Sequence, residues 1–196
     1  MRETPQIASG DKLTVDTDGL IDFIAEAGKL KRMLRTGWVE SGVPEPESVA
    51  DHSFRVALIS LVLADERGLD SLKAVRMALI HDLAEAETGD LTPTQKDADP
   101  EANKRAEDEA MVKLFDKLPE SIRAAYVSAW REFSSSSTEE ARLVRDADKL
   151  EMVVQASEYQ NAGGDRSRLM RFWHAEINGD DAKAIRDAVK SRSRVH

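Results

Sequence analysis

Cysteine is absent from the 196 residues of this chain, which excludes disulfides, thiolate metal sites and cysteine nucleophiles. Basic residues are outnumbered, because 28 lysines and arginines stand against 37 aspartates and glutamates and leave a net charge of -9. No basic stripe is present, so we expect no polymeric nucleic acid as a partner. A small anionic ligand is compatible with this charge if a metal ion and one or two cations reverse its sign locally.

Long hydrophobic runs are also missing. The longest strongly apolar stretch covers about residues 56–64, whereas a helix needs roughly 20 apolar residues to cross a bilayer. The first residues contain no apolar region of the kind found in secretory signal peptides. The sequence therefore predicts a soluble, cytoplasmic protein with no membrane partner.

Glycine and proline are sparse, with 10 and 6 residues, and runs of alternating apolar and polar residues, which are typical of strands, are absent. Apolar residues recur instead with the period of a helix. We therefore expect an all-α fold in a single domain, with helices over about 20–34, 49–66, 71–88, 100–117, 119–134, 138–162, 166–177 and 180–192. Ser48 with Asp51, and Ser137 with Glu140, have the spacing of helix capping boxes. The segment 90–97 is predicted to be a polar loop.

Two histidines and two aspartates form the main candidate site: His52, the adjacent pair His81 and Asp82, and Asp148. Each lies in a segment predicted to be helical, so three helices must converge to bring the four together. Two neutral imidazoles and two carboxylates suit a divalent transition metal that keeps open positions for water and a phosphate oxygen. Any one of these residues alone would more often be structural than a ligand. His81 and Asp82 follow an apolar run, however, and an inward-pointing carboxylate needs a partner such as a metal ion.

Glu85 accompanies this group. It stands four residues after His81 and three after Asp82, so in a helix it shares their face. It is too far along the helix for an obvious place among the ligands themselves. The position favours a base or proton donor for water held at the metal.

Three stretches of the sequence resemble the 5′-deoxynucleotidase family of HD-domain metal-dependent phosphohydrolases: 42–52, 81–93 and 148–159. The resemblance implies an all-helical HD-type bundle around a central site for one divalent metal ion, with cobalt, manganese or a similar ion as the cofactor. It also implies a homodimer that removes phosphate from a small-molecule substrate, a (deoxy)ribonucleoside 5′-monophosphate. The four candidate ligands and Glu85 match the family's metal ligands and its catalytic carboxylate. On this basis residues 18–165 form the phosphohydrolase domain, residues 1–17 a loosely ordered segment, and residues 166–196 helices packed on the same domain.

The resemblance implies substrate contacts at five further positions: Arg35, Trp38, Asp90, Thr92 and Lys96. Asp90 matches a residue that contacts a sugar hydroxyl, Arg35 a cation near the substrate, and Thr92 and Lys96 the loop on the phosphate side. In some bacterial members the tryptophan directly follows the arginine, whereas here two residues separate Arg35 from Trp38, so the preference for deoxyribose is left open. Three of these residues also have structural interpretations. Arg35 could complement the dipole at a helix end, Trp38 could be a packing residue, and Lys96 could be a solvated surface charge.

Two other functions fit the same residues. One is an HD phosphohydrolase that cleaves a different nucleotide or a diphosphate linkage. The other is a non-catalytic regulator that binds a nucleotide as a signal, although Glu85 and Asp90 beside the ligands argue against it. The apolar residues Phe172 and Trp173 are expected either to close the core or to lie in a dimer interface.

Overall fold

The computed structural model describes residues 17–193. Within that range the all-α prediction is confirmed, since the chain forms helices and no strand. The helices are α1 (Thr17–Ala27), a 3-10 helix (Gly28–Arg32), α2 (Thr36–Glu40), α3 (Val49–Arg67), α4 (Ser71–Ile80), α5 (Glu85–Thr88), α6 (Pro93–Ala98), α7 (Pro100–Asp116), α8 (Glu120–Ser135), α9 (Glu139–Asn161), α10 (Arg166–Trp173) and α11 (Asp180–Ser193). None of these helices combines the length and the apolar character that crossing a bilayer requires. The loosely ordered segment predicted for residues 1–17 lies outside the described residues except for Thr17.

The centre of the molecule is a packed group of three helices, α3, α4 and α9. The apolar faces of these helices meet in one core, where Val56, Met77, Leu143 and Val144 are fully buried. Burial of side chains of this size contributes about 1.5–3 kcal/mol each to folding. Helices α7 and α8 extend the same core on one side. His52 and Asp148 therefore stand on two of the three central helices, and His81 and Asp82 directly follow the third, so the apolar contacts of the core set their relative positions.

Helix α3 begins where the sequence predicts. The backbone N–H of Asp51 donates to Ser48 Oγ at 3.1 Å, and the backbone N–H of Ser48 donates to Asp51 Oδ2 at 3.0 Å. This capping box satisfies two backbone donors that the first turn would otherwise leave unpaired. The helix ends at Gly68, whose φ of 68° lies in the left-handed region that glycine adopts without steric cost. The cap that fixes the start of α3 is thus four residues before His52.

The predicted helix over 20–34 is wrong in its second half. It ends at Ala27, and the 3-10 helix leads into an extended segment before α2. The backbone N–H of Val49 donates to Met33 O, and that of Arg35 donates to Glu47 O. Gly28 weakens the helix at the break because glycine loses the most backbone freedom on folding. The extended segment then gains backbone hydrogen bonds that a continuous helix would not provide.

Four other features also differ from the sequence-based prediction. Helix α4 ends at Ile80, so His81 and Asp82 lie in a turn at residues 81–84 and not inside a helix. Helix α9 is capped by Thr138 and not by Ser137, because the hydroxyl of Thr138 accepts the N–H of Ala141. The predicted loop 90–97 contains the short helix α6, and α10 ends at Trp173 rather than near residue 177.

The C-terminal helices α10 and α11 pack against α9. The carboxylate of Asp146 on α9 accepts the backbone N–H groups of Asn178 and Gly179 at 2.8 and 2.7 Å, which fixes the segment before α11. Phe172 packs on Trp38, with ring centroids 3.7 Å apart, and Trp173 is buried in the same apolar cluster. Both aromatic residues therefore close the core. The boundary at residue 165, between the phosphohydrolase domain and the C-terminal helices, stays a prediction.

Candidate metal centre and substrate cleft

Four side chains from three segments meet at one point of the molecule. His52 lies on α3, His81 and Asp82 in the turn after α4, and Asp148 on α9. His52 Nε2 is 3.2 Å from Asp148 Oδ1 and 3.7 Å from Asp82 Oδ2, and His81 Nε2 is 3.2 Å from Asp82 Oδ2. One ligand atom from each of His52, His81 and Asp148 lies within 4.8 Å of the others. This is the convergence that the sequence-based hypothesis requires.

The two imidazoles present matching nitrogens to this point. His81 Nδ1 is 2.7 Å from Ala78 O, and because a carbonyl only accepts, Nδ1 carries the proton and Nε2 is left as a lone pair. His52 Nε2 and His81 Nε2 are both buried and have no hydrogen-bond partner among the described residues. Each Nε2 faces a carboxylate oxygen at 3.2 Å, so this point needs a positive charge: a proton on an imidazole when metal is absent, or a metal ion when one is bound. The donor set therefore fits a divalent cation.

Glu151 is a site residue that the sequence analysis did not select. Its Oε2 lies 2.6 Å from His52 Nδ1, and both side chains are fully buried. The carboxylate accepts the Nδ1 proton, which turns Nε2 toward the metal position and holds the ring there. Glu151 is three residues after Asp148 on α9, so the two acids share one helix face. The sequence signal that could have identified Glu151 is an acidic residue three positions after a candidate ligand, in a helix with an apolar period.

A second group of polar residues lies behind His52. Trp38 donates its indole N–H to Glu47 Oε1 at 2.8 Å, and the backbone N–H of Glu47 donates to the hydroxyl of Tyr159 at 2.8 Å. Burial, followed by the negative charge of Glu151, raises the pKa of Glu47 to about 7. These contacts hold the chain before α3 against α9.

The charges of the ligand residues are set by their neighbours. Burial disfavours ionisation of Asp82, but His81 and Arg35 outweigh it and hold its pKa well below the usual value. Burial likewise opposes ionisation of Asp148, and Lys149 with His52 again outweighs it, so that its pKa is also lowered. Both carboxylates are therefore ionised, as metal ligation requires.

Glu85 is the first residue of α5, lies beside the ligands and is almost fully buried. Its Oε1 is 3.9 Å from Lys96 Nζ, and its Oε2 is unpartnered within the described part of the chain. Burial, followed by the charges of Asp82 and Asp90, raises its pKa to about 10 in the metal-free protein. A nearby cation shifts this pKa back down. Glu85 is thus a carboxyl group whose protonation responds to the charge placed beside it.

Arg35 connects the ligands to the predicted sugar contact. Its Nη1 donates to Asp82 Oδ2 at 3.1 Å and to Asp90 Oδ1 at 3.0 Å. Burial alone would lower the pKa of Arg35, but the two carboxylates outweigh it and raise the pKa. The second carboxylate oxygen of Asp90 accepts the backbone N–H of Thr36. Arg35 is therefore engaged by carboxylates of the site and not by the carbonyls of a helix end, while both oxygens of Asp90 are already held.

The ligands open into a cleft with an empty volume of about 650 Å³. Asp82 and Asp148 line it, and its apolar lining includes Leu91, Met152 and Phe172. Lys149 also lines it, with Nζ 3.0 Å from Asp148 Oδ2 and a half-exposed side chain. Lys149 is a cation that the sequence analysis did not select, although it directly follows a candidate ligand.

The remaining predicted contacts lie in the cleft wall. Thr92 caps α6 and donates its hydroxyl to Gln95 Oε1 at 3.1 Å. Lys96 points toward the ligands but pairs with Glu107, whose Oε1 is 2.9 Å from Nζ. Trp38 is only 1 % exposed and uses its indole N–H internally, so its packing role is evident. The substrate roles of these residues stay predictions.

Comparison with known proteins identifies relatives across most of the chain. The family whose model matches is the HD domain, over residues 27–191. The protein named 5′-deoxynucleotidase HDDC2 of Mus musculus is 41% identical over 155 residues, which is 79% of this chain and 77% of that protein. The protein of the same name in Homo sapiens is 40% identical over 154 residues, or 79% of this chain and 74% of that protein. A solved structure from Pyrococcus horikoshii OT3 has 38% identity and a TM-score of 0.72, and the match covers 90% of this chain and 99% of that one.

The helical bundle and its central cluster of two histidines and two aspartates define the class, and the chain belongs to the HD-domain family. Several relatives in that family carry the name 5′-deoxynucleotidase, from vertebrates to the yeast Schizosaccharomyces pombe, which is 33% identical over 163 residues. The resemblance inferred from the sequence is thereby confirmed.

Proposed function

We propose that this protein is a metal-dependent 5′-deoxynucleotidase, a phosphoric monoester hydrolase acting on (deoxy)ribonucleoside 5′-monophosphates. The observation that carries the proposal is the pair of imidazole nitrogens, without a hydrogen-bond partner among residues 17–193, beside two ionised carboxylates that line a cleft. The names of the relatives support the substrate class. The apolar residues Leu91, Met152 and Phe172 in the cleft lining suit a nucleoside.

One divalent ion would be held by His52, His81, Asp82 and Asp148. Sites of this composition accept several metals, cobalt and manganese among them, so that availability decides which one is bound. When bound, the ion contributes positive charge toward a phosphate and makes nearby water more acidic. Glu151 would keep His52 in the ligating orientation through its buried hydrogen bond.

The protein's own groups would handle the proton and the phosphate charge. Glu85 would take a proton from the attacking water, because its free Oε2 lies in the site and its ionised form is favoured once a cation is present. Arg35, Lys96 and Lys149 would offset negative charge on the phosphate, since electrostatic stabilisation dominates phosphoryl transfer. Release of phosphate then requires no covalent intermediate on the enzyme.

The sugar and base would lie toward the apolar residues of the cleft lining. Asp90 would contact a sugar hydroxyl from the position in which Arg35 and Thr36 hold its carboxylate. Thr92 would support the phosphate-side loop, and Trp38 would back the cleft behind Phe172. Because Trp38 is buried, discrimination between deoxyribose and ribose would depend chiefly on Asp90 and its neighbours.

A substrate panel tests the activity. The protein is stripped of metal, single ions are added back, and phosphate release is measured from matched ribonucleoside and deoxyribonucleoside 5′-monophosphates. We expect release that depends on the added ion and is greater for the deoxy member of each pair. Release from a diphosphate linkage alone would support the other HD phosphohydrolase, and tight nucleotide binding without any release would support a regulator.

Two substitutions distinguish the residue that binds the metal from the residue that takes the proton. Asp82→Ala should abolish both metal binding and activity, whereas Glu85→Gln should keep the metal and lose turnover by about 100-fold or more, the usual size of a general acid–base contribution. Glu87→Gln is the matched control, because Glu87 lies on the same short helix but pairs with Lys113 at the surface. Full turnover in Glu85→Gln would remove Glu85 from the reaction.

We also propose a cytoplasmic homodimer that binds neither membranes nor polymeric nucleic acid. Helix α3 presents an exposed apolar stripe of Phe54, Leu58, Leu61 and Val62, of which Phe54 is 70% exposed. Residues at this spacing share one helix face, and an apolar face of this kind typically marks a contact surface. Light scattering should give twice the 21.8 kDa mass of the chain, and Leu58→Glu should give the monomer. Leu72→Glu, at an exposed leucine of α4, should stay a dimer.

A further inference from the structure

We propose that the protein has a second binding site, separate from the metal cleft, that takes the phosphate group of a small anion. The site is a cavity between the end of α9 and the two C-terminal helices, with an empty volume of about 460 Å³. Its polar lining consists of Gln160, Arg166, Trp173, His174, Lys190 and Ser193. We call this the C-terminal cavity.

The charge of the C-terminal cavity is opposite to that of the protein. Although the net charge of the chain is -9, the charged side chains among the described residues lining it are Arg166 and Lys190, and no carboxylate lines it. Neither cation forms an ion pair within residues 17–193. Asp187 lies near Lys190 on α11, but Asp187 pairs with Arg186, whose Nη2 is 2.9 Å from its Oδ1. Two cations are therefore available to a ligand.

An unmet hydrogen-bond donor gives a second, independent indication. The indole N–H groups of Trp38 and Trp130 each donate to a carboxylate, Glu47 at 2.8 Å and Asp108 at 2.9 Å. The indole nitrogen of Trp173 is buried and, within the described part of the chain, has no partner. A buried donor without an acceptor is costly. Trp173 itself lines the C-terminal cavity, so this region brings together a donor that lacks an acceptor and two cations free of ion pairs within residues 17–193.

The chemistry of these groups selects the ligand. Arginine, lysine and indole N–H groups only donate, and an ionised phosphate presents oxygen acceptors to all of them. Arginine in particular matches phosphate through its planar fork of donors. Metal ions are disfavoured because no carboxylate lines the cavity among the described residues. A phosphate group, free or carried by a nucleotide, offers acceptors suited to each kind of donor in this set.

The C-terminal cavity lies apart from the metal cleft. Gln160 follows Asp148 by twelve residues along α9, which places the two about 18 Å apart along the helix axis. The linings of the two spaces share no residue. A ligand in the C-terminal cavity would therefore not touch the proposed metal ion. Inorganic phosphate is chosen as the probe because it is a product of the proposed reaction. Binding of phosphate in the C-terminal cavity does not itself depend on that reaction.

The indole N–H signals in a nitrogen–proton NMR spectrum test this proposal. The chain has 3 tryptophans, and Trp173→Phe identifies the signal of Trp173. Inorganic phosphate is added to the full-length protein loaded with zinc, which is diamagnetic, with chloride at equal ionic strength as the reference. We expect a saturable shift of the Trp173 signal that chloride does not cause. The signal of Trp38 reports the metal cleft separately.

Charge-removing variants complete the test. Arg166→Gln combined with Lys190→Gln should weaken the phosphate midpoint at least 10-fold, whereas Lys183→Gln, on α11 but outside the cavity lining, should leave it unchanged. A deoxynucleoside monophosphate, added to the Glu85→Gln protein, shows whether the phosphate group is bound free or as part of a nucleotide. Absence of any Trp173 shift with either probe, or an unchanged shift in the double variant, would overturn the proposal. Neither result depends on whether the protein hydrolyses nucleotides.

Discussion

Replacement of Glu151 by glutamine tests whether a buried carboxylate controls the metal site from behind. Glu151 and His52 are both fully buried, and 2.6 Å separates Glu151 Oε2 from His52 Nδ1. Glutamine has nearly the same shape and still offers an amide oxygen to the Nδ1 proton, but it carries no charge. The change therefore removes the charge of the acceptor and, with it, the ion pair between Glu151 Oε1 and Arg55 Nε at 3.6 Å.

The expected effect follows from the two kinds of hydrogen bond. A bond to a charged group contributes about 1.5–3 kcal/mol and a neutral one about 0.5–1.5 kcal/mol, so the difference is about 1–2 kcal/mol. At about 1.4 kcal/mol for each factor of ten, metal affinity should fall roughly 5- to 30-fold. The usual effect of losing a partner of a ligating histidine, about 10- to 100-fold, overlaps this range. Turnover at saturating metal should change much less.

Metal affinity is measured by titration of the stripped protein against a competing chelator. Glu158→Gln is the matched control, because Glu158 lies on the same helix and pairs with Arg55 at 3.0 Å, but its side chain is 53% exposed. We expect the control to bind metal as the unchanged protein does. Unaltered metal affinity in Glu151→Gln would refute the reasoning, since the buried bond would then contribute nothing to the site.

Two further predictions concern stability. Ser48→Ala removes the side-chain cap of α3 and should lower the free energy of unfolding by about 1 kcal/mol, seen as a lower urea midpoint with an unchanged slope; an unchanged midpoint would contradict it. Burial and Arg35 oppose protonation of His52, but Asp148 and Glu151 outweigh them and raise its pKa from 6.5 to about 9 in the metal-free protein. Between pH 6.5 and 9 the folded state therefore binds a proton that the unfolded state has lost. Stripped protein should lose stability as the pH rises through this range. Metal competes with that proton, so the difference in Tm between metal-loaded and stripped protein should widen from pH 6.5 to 9, and a constant difference would argue against His52 as a ligand.

Local signals predicted much of the fold and part of the site. The capping box of Ser48 and Asp51 depends on residues three apart, so its spacing could be read directly and the structure contains it. The period of apolar residues likewise identified the long helices α3 and α9. Prediction failed where long-range contacts decided the local structure. The extended segment before α2 exists because Met33 and Arg35 bond to residues 47–49, which no local pattern indicates.

The sequence by itself determined the helical class and the four candidate ligands, because both depend on short-range period and on residue types that only a few kinds of site require. The tertiary structure alone decided how those ligands are oriented. His52 and Glu151 are 99 positions apart, and Arg35 and Asp90 are 55 apart, so only the packing of α3 against α9, and the approach of the segment before α2 to the residues after α5, brings them into contact. The indole of Trp173, which has no acceptor among residues 17–193, is a further case, because its burial is a property of the assembled helices and not of any segment.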